Sequence, residues 1–167
     1  MRRPSTELVA SYLDLVAEMR ELGETIWEGT VPRPSEPPAD FVHRLLRAED
    51  RPEPGLVPQS SYWAVADGVV VGRIALRHHL NEDLEQFGGH IGYDIRPGKR
   101  GRGYGNKILE LALKKAKEMG IEKVRITCDV DNVPSRKIIE KNGGMLENEA
   151  PNPETGVNKA RFWIENK

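Results

Sequence analysis

Apolar residues recur at helical spacing in two stretches of the chain and alternate at strand spacing in several shorter ones. Leu8, Tyr12, Leu15, Val16 and Met19 share one face of a helix over residues 5–24, with Ser5 or Thr6 placed to cap it and Gly23 near its end. Ile108, Leu109, Ala112, Leu113, Ala116 and Met119 repeat that spacing further along. A short helix is predicted over Asp40–Glu49, between a Pro-rich loop at 29–38 and a loop from Arg51 to Pro58. Tyr62–Ala66 and Val69–His78 read as strands joined by Asp67-Gly68, a strong hairpin signal. A polar loop, Asn81–Gly89, leads into the apolar run His90–Ile95. Val124, Ile126 and Cys128 share one face of a strand over 124–129, and a short helix after it ends at Asn142-Gly143-Gly144. Strands near Met145–Asn148 and Ala160–Glu165 close the chain, and no internal repeat is visible.

Between the strand at His90–Ile95 and the second long helix lies Arg100-Gly101-Arg102-Gly103-Tyr104-Gly105. A strand, a glycine-rich basic turn and a helix N-terminus together make an anion site. The first-turn N–H groups lack intrahelical partners, the helix dipole is positive there, and glycine lets a phosphate approach the backbone. Spacing separates three kinds of phosphate turn. Gly98 and Gly103 have P-loop separation, but Tyr104 and Gly105 follow where Lys and Ser/Thr are needed. Gly101 and Gly103 begin a dinucleotide fingerprint that fails at Asn106. The pattern [R/Q]-x-x-G-x-[G/A] is met by Arg100, Gly103 and Gly105.

That signature resembles the pyrophosphate turn of the GNAT acetyltransferase superfamily, which binds acetyl-CoA. Asn132-Val133-Pro134-Ser135, followed by a short helix and glycines, resembles the family's N-x-x-[A/S]…G element after its fifth strand. The resemblance covers about residues 60–167, the helical and loop segment 1–59 lying on the acceptor side, and makes 1–167 one N-acetyltransferase domain. It implies an α/β (α+β) GNAT fold: a mixed, mostly antiparallel sheet of about six or seven strands with helices on both faces. The family's fourth and fifth strands splay to admit acetyl-CoA. Met1–Pro4 is too short for the family's full first strand, so that strand is expected to be vestigial.

Composition narrows the partners. The net charge of −1 argues against a general nucleic-acid role. Residues 96–125 nevertheless carry ten Lys/Arg against three Glu, a local surplus that suits a polyanionic cofactor. Arg100 and Arg102 are assigned to the ligand, and Lys114, Lys115 and Lys117 to a solvated helix face. The single cysteine, Cys128, lies in phase with the core and has no metal-ligand companions, so no metal is expected. No run reaches membrane-spanning length and no apolar signal core follows Met1-Arg2-Arg3, which predicts a cytoplasmic protein.

Acyl transfer from a thioester to an amine needs a neutral amine, in-line positioning, a donor to the oxyanion and a departing thiolate. By the resemblance, the backbone of Asp94 and Ile95 bonds the pantetheine arm, and an N–H near Ile95 faces the thioester oxygen. The turn Arg100, Gly101, Arg102, Gly103, Tyr104 and Gly105 holds the pyrophosphate. Asn132 contacts the arm, caps its helix, or does both. Many members carry a basic Glu ten residues before the turn's Arg/Gln; here that position is His90, an imidazole able to take a proton near neutral pH. Glu82, Asp83 and Glu85 are the alternative bases, and of His78 and His79 only one points to the cleft face. Many members also place an acidic Tyr seven residues after the Asn; here that residue is Ile139, which leaves Ser135 or water to protonate the thiolate.

The implied acceptor is a primary amine on a small molecule or peptide, and the superfamily allows a homodimer. Its pocket falls to residues 20–60, 79–89 and 150–159. Trp27, Trp63, Phe87 and Trp163 are candidates for the wall or for the core, and acidic residues at 82, 83, 85, 147 and 149 suggest a cationic acceptor. Two other readings stay open: a catalytically weak acyl-CoA-binding or regulatory domain, and a nucleotide-binding module using the same turn.

Overall fold

A computed structural model describes residues 1–166. The helices are α1 (Val9–Glu21), α2 (Pro38–Arg47), α3 (Tyr104–Glu118) and α4 (Val133–Lys141). The strands are β1 (Gln59–Ala66), β2 (Val69–Arg77), β3 (Ile91–Ile95), β4 (Lys123–Asp129), β5 (Met145–Ala150) and β6 (Lys159–Glu165). They form two three-stranded sheets, ordered β1-β2-β3 and β4-β6-β5, and every ladder within them is antiparallel.

Local chemistry sets most boundaries. Asp67 and Gly68 have φ of 51° and 76°, the two positive values of a tight hairpin turn whose twist matches the strands. α2 starts at Pro38, two residues before the expected Asp40, because proline's missing N–H does no harm in a first turn. α1 is entered through a 3-10 turn at Thr6–Leu8, and Ser5 makes no side-chain cap. The first-strand remnant is a single bridge: Arg2 and Trp63 exchange two main-chain hydrogen bonds of 2.8 Å.

Two hydrophobic clusters fill the fold. One lies under α1 and α2 and centres on Trp63, whose ring stacks on Tyr12 at 4.5 Å between centroids. Tyr12 turns its hydroxyl to the Thr30 carbonyl, 2.6 Å away. The other joins both sheets beneath α3 and includes Leu76, Ile91, Leu109, Ile126 and Phe162. Full burial of one such side chain is worth roughly 1.5–3 kcal/mol.

Among the described residues, main-chain hydrogen bonding joins the two sheets at the start of β3. His90 donates its main-chain N–H to the Arg125 carbonyl at 2.8 Å, next to an isolated bridge between Gly89 and Ile126. The Arg125 N–H then donates to His90 Nδ1 at 3.0 Å. A side-chain nitrogen thus takes the place of a strand carbonyl, and beyond it β3 and β4 part. Gly89 is required at this join: its φ is +68°, and a Cβ would stand 2.6 Å from the Arg125 carbonyl oxygen.

Candidate active site

The parted strands border a cleft of about 880 Å³, walled by β3, the turn before α3 and the start of α4. Register decides which main-chain groups face it. The hydrogen bonds from Arg77 N–H to the His90 carbonyl and from Arg96 N–H to the Val71 carbonyl fix the phase of the β2–β3 ladder. Antiparallel pairing alternates, so Asp94 spends its main-chain groups on Arg73, and those of Tyr93 and Ile95 look into the gap. The ladder thus engages the main chain of Asp94, expected to face the ligand, and leaves that of Tyr93 and the Ile95 N–H without a main-chain partner among the described residues. The Ile95 carbonyl accepts Arg100 Nε at 3.1 Å, and the Asp94 carboxylate pairs with Arg73 at 2.5 Å.

Gly101 and Gly103 have φ of +72° and +84°, and a Cβ on either would meet nothing within 4 Å. Main-chain N–H groups from Gly101 to Asn106 have no partner among the described residues, as expected of an open helix start. This is a cradle for an anion, and the donor set fits the pyrophosphate of acetyl-CoA. At Gly105 a Cβ would lie 2.5 Å from Ile138 Cδ1, where α3 packs on α4. Tyr104 lines the cleft, whereas Arg102 is exposed and lies outside its lining. Arg100 is held by Glu24 through two bonds of 2.6 and 2.7 Å. Glu18 ties the preceding residues to α1 through Arg96 at 2.7 Å and Gly98 N–H at 3.2 Å.

On the opposite wall, Asn132 caps α4 by accepting the Ser135 N–H at 3.1 Å. Ser135 Oγ lies 3.1 Å from the hydroxyl of Tyr93. Burial pushes the Tyr93 phenol up to about 12, an effect partly offset by Ser135, so it stays protonated at neutral pH. Burial likewise raises the Cys128 thiol, which belongs to the core. Ile139 is buried in the core as well, so the position seven residues after Asn132 does not face the cleft. Tyr93 supplies a phenol there instead. The sequence marked it only by alternation along β3.

His90 is not brought into the cleft. Its ring is buried at the join, Nδ1 is occupied by Arg125, and burial first, then Arg77 and Arg125, bring its pKa down to about 4. Glu82, Asp83 and Glu85 are exposed, and His78 bonds Ser60 Oγ at 2.9 Å. The carboxylates that line the cleft beside Tyr93 are Asp94 and Asp129, the latter paired with Lys159 at 2.6 Å.

A second cavity of about 280 Å³ shares Tyr93, Asp94, Asn132 and Ser135 with the cleft. Trp27 and Phe87 line it, while Trp63 is core and Trp163 stacks under Arg125 at 4.6 Å. Arg73 and Arg77 also line it, two cations that no local signal had marked. Among the described residues no cluster of His, Cys, Asp and Glu suits a metal, and no helix is long and apolar enough to cross a membrane.

Solved structures share this fold. The microcin C7 self-immunity acetyltransferase MccE, solved with acetyl-CoA and AMP, superposes with a TM-score of 0.70 at 15% identity, covering 98% of this chain and 89% of that one. YncA of Salmonella typhimurium, titled a putative acetyltransferase with its cofactor acetyl-CoA, gives 0.66 at 13% identity over 99% and 92%. The Salmonella typhimurium acetyltransferase that modifies the N-terminal serine of ribosomal protein L7/L12 gives 0.67 at 16% over 98% and 92%. At these identities the likeness establishes the fold alone. No curated protein matches the chain in sequence. The profile of the acetyltransferase (GNAT) domain does match, over residues 2–145. With that match across most of its length, the chain belongs to the GNAT acetyltransferase family.

Proposed function

We propose that the protein transfers an acetyl group from acetyl-CoA to a primary amine of a small molecule or peptide. The observation that carries this is the continuity of the anion cradle at Gly101–Asn106 with the main-chain edge of Tyr93 and the N–H of Ile95. A diphosphate at one end and an amide-bearing arm along the other match that surface. Acetyl-CoA supplies the activated thioester. The chain's own part is to orient, to donate and to accept protons.

The first turn of α3 and Arg100 hold the pyrophosphate. Main-chain groups of Tyr93 and Ile95 hold the arm, and an N–H of this edge faces the carbonyl oxygen to be polarised. The Tyr93–Ser135 pair keeps a proton beside the position of the leaving sulfur. A carboxylate of the cleft, Asp94 or Asp129, takes the amine proton through water, in place of the displaced His90. The weak-domain reading rests on the lack of a phenol at Ile139 and of a Glu at His90; Tyr93 answers the first, and the second still favours that reading.

The test is a calorimetric titration of acetyl-CoA, followed by thiol-release assays with an amine panel. Tight binding and amine-dependent thiol release are expected. Binding without transfer to any amine would instead favour an acyl-CoA-binding domain, and preferential ATP or NAD binding a nucleotide module.

A further inference from the structure

The second cavity holds three cations and two carboxylates that pair off unevenly. Arg73 is matched by Asp94 at 2.5 Å and Lys159 by Asp129 at 2.6 Å. Arg77, at the end of β2, is left without a carboxylate among the described residues. Its Nη1 donates to the carbonyls of Gly88 and Gly89 at 3.1 and 2.9 Å, and Nη2 and Nε make no hydrogen bond among the described residues. The guanidinium lies against β3, with Nη1 and Nη2 each 3.6 Å from the place of a Cβ on Gly92. It borders the cavity shared with Tyr93 and Ser135, and a further one of about 240 Å³ beyond Trp27.

A largely buried cation held by carbonyl dipoles alone is expensive to keep. Burial, with Arg73 adding to it, pulls the guanidinium down to about 10, which still leaves it charged at neutral pH. Arginine's planar fork matches an oxyanion in two-point contact. Clamping the turn at Gly88 and Gly89 employs one of its nitrogens, and the others remain for a ligand.

We infer that Arg77 is the acceptor-recognition residue, and that the amine substrate carries an oxyanion, a carboxylate or a phosphate, that Arg77 binds beside the Tyr93–Ser135 pair. This deepens the transferase reading above and rests on it. It also reverses the expectation of a cationic acceptor drawn from residues 82, 83, 85, 147 and 149. Of these, Glu147 serves Arg125 and Trp163, Glu149 serves Arg136, and among the loop carboxylates only Asp83 borders a cavity.

The experiment compares matched acceptors by acetyl-CoA-dependent thiol release: phenylalanine with phenylalaninamide, and phosphoethanolamine with ethanolamine. Referred to the concentration of neutral amine, since the anionic group raises the acceptor's amine pKa, at least about tenfold higher kcat/KM for the anionic member of one pair is expected, as one charge-assisted contact gives. The pair that shows it separates carboxylate from phosphate. Arg77→Gln should abolish the preference with acetyl-CoA affinity unchanged, and Arg77→Lys should keep part of it. A residue that merely clamps the turn would leave the wild-type enzyme indifferent to acceptor charge. Equal or better use of both neutral members, or no transfer to either anionic one, overturns the inference even in a variant-free experiment. Failure to bind acetyl-CoA overturns instead the transferase reading beneath it.

Discussion

The hydroxyls of Tyr93 on β3 and Ser135 on α4 lie 3.1 Å apart, bridging the two halves of the split sheet. Each comes from a different wall of the cleft, so the pair forms only where the strands have parted. Tyr93→Phe and Ser135→Ala are each expected to lower kcat by about a hundredfold, the lower end of what a general acid contributes. The double variant should be no worse than the poorer single one, because the two act as a unit. Steady-state kinetics on all three variants, with KM for acetyl-CoA changing less than about threefold, check this.

His90 should behave as a structural, not a catalytic, residue. Its folded pKa of about 4 lies below the ordinary 6.5, so the unfolded chain binds more protons between those values. Its contribution is therefore fully present above about pH 6.5 and is lost as pH falls towards 4, roughly 3 kcal/mol at most. His90→Asn, which can still accept the Arg125 N–H but cannot titrate, should flatten that part of the stability profile. Urea melts at pH 7, 6 and 5 measure it. A collapse of kcat in His90→Asn on an intact fold would restore the base assignment.

Two glycines of one signature should respond differently to substitution. At Gly103 a side chain enters open space at a positive φ, a strain of about 1 kcal/mol, so Gly103→Glu should abolish acetyl-CoA binding with a small loss of stability. At Gly105 a methyl meets only the tip of the half-buried Ile138 side chain and gains helix propensity, so Gly105→Ala should change stability by less than about 1 kcal/mol and keep acetyl-CoA binding. Calorimetry and thermal melts on the same samples separate the two effects.

Glu24 shares the cleft with the anion cradle and engages both terminal nitrogens of Arg100. Arg100 in turn holds the Glu24 carboxyl below its ordinary range, so it stays charged at neutral pH. Glu24→Gln removes a negative charge facing a polyanion, and acetyl-CoA should bind about two- to tenfold tighter, more so at low salt. Weaker binding would mean that Glu24 serves to position Arg100.

What the sequence discloses is what local chemistry controls. The glycine turn, the long helix after it and the Asp67-Gly68 hairpin depend on period and on φ, and each lies where its residues point. Side-chain destinations that depend on register or helical phase are not local. One step along β3 exchanges Asp94 for Tyr93 at the cleft edge. One step along α4 sends Ile139 to the core and Ile138 to the cleft. His90 ends a ladder with its ring, a role set by Arg125, thirty-five residues away. Arg77 reads as an ordinary polar position of an alternating strand until Gly88 and Gly89 fold over it.

The separate packing of the two hydrophobic clusters divides the protein's evolutionary freedom. The cluster of α1, α2 and Trp63 packs the segment before β1 onto β1 and β2, and the other joins both sheets beneath α3. Substitutions in the first can therefore be accommodated without repacking the second.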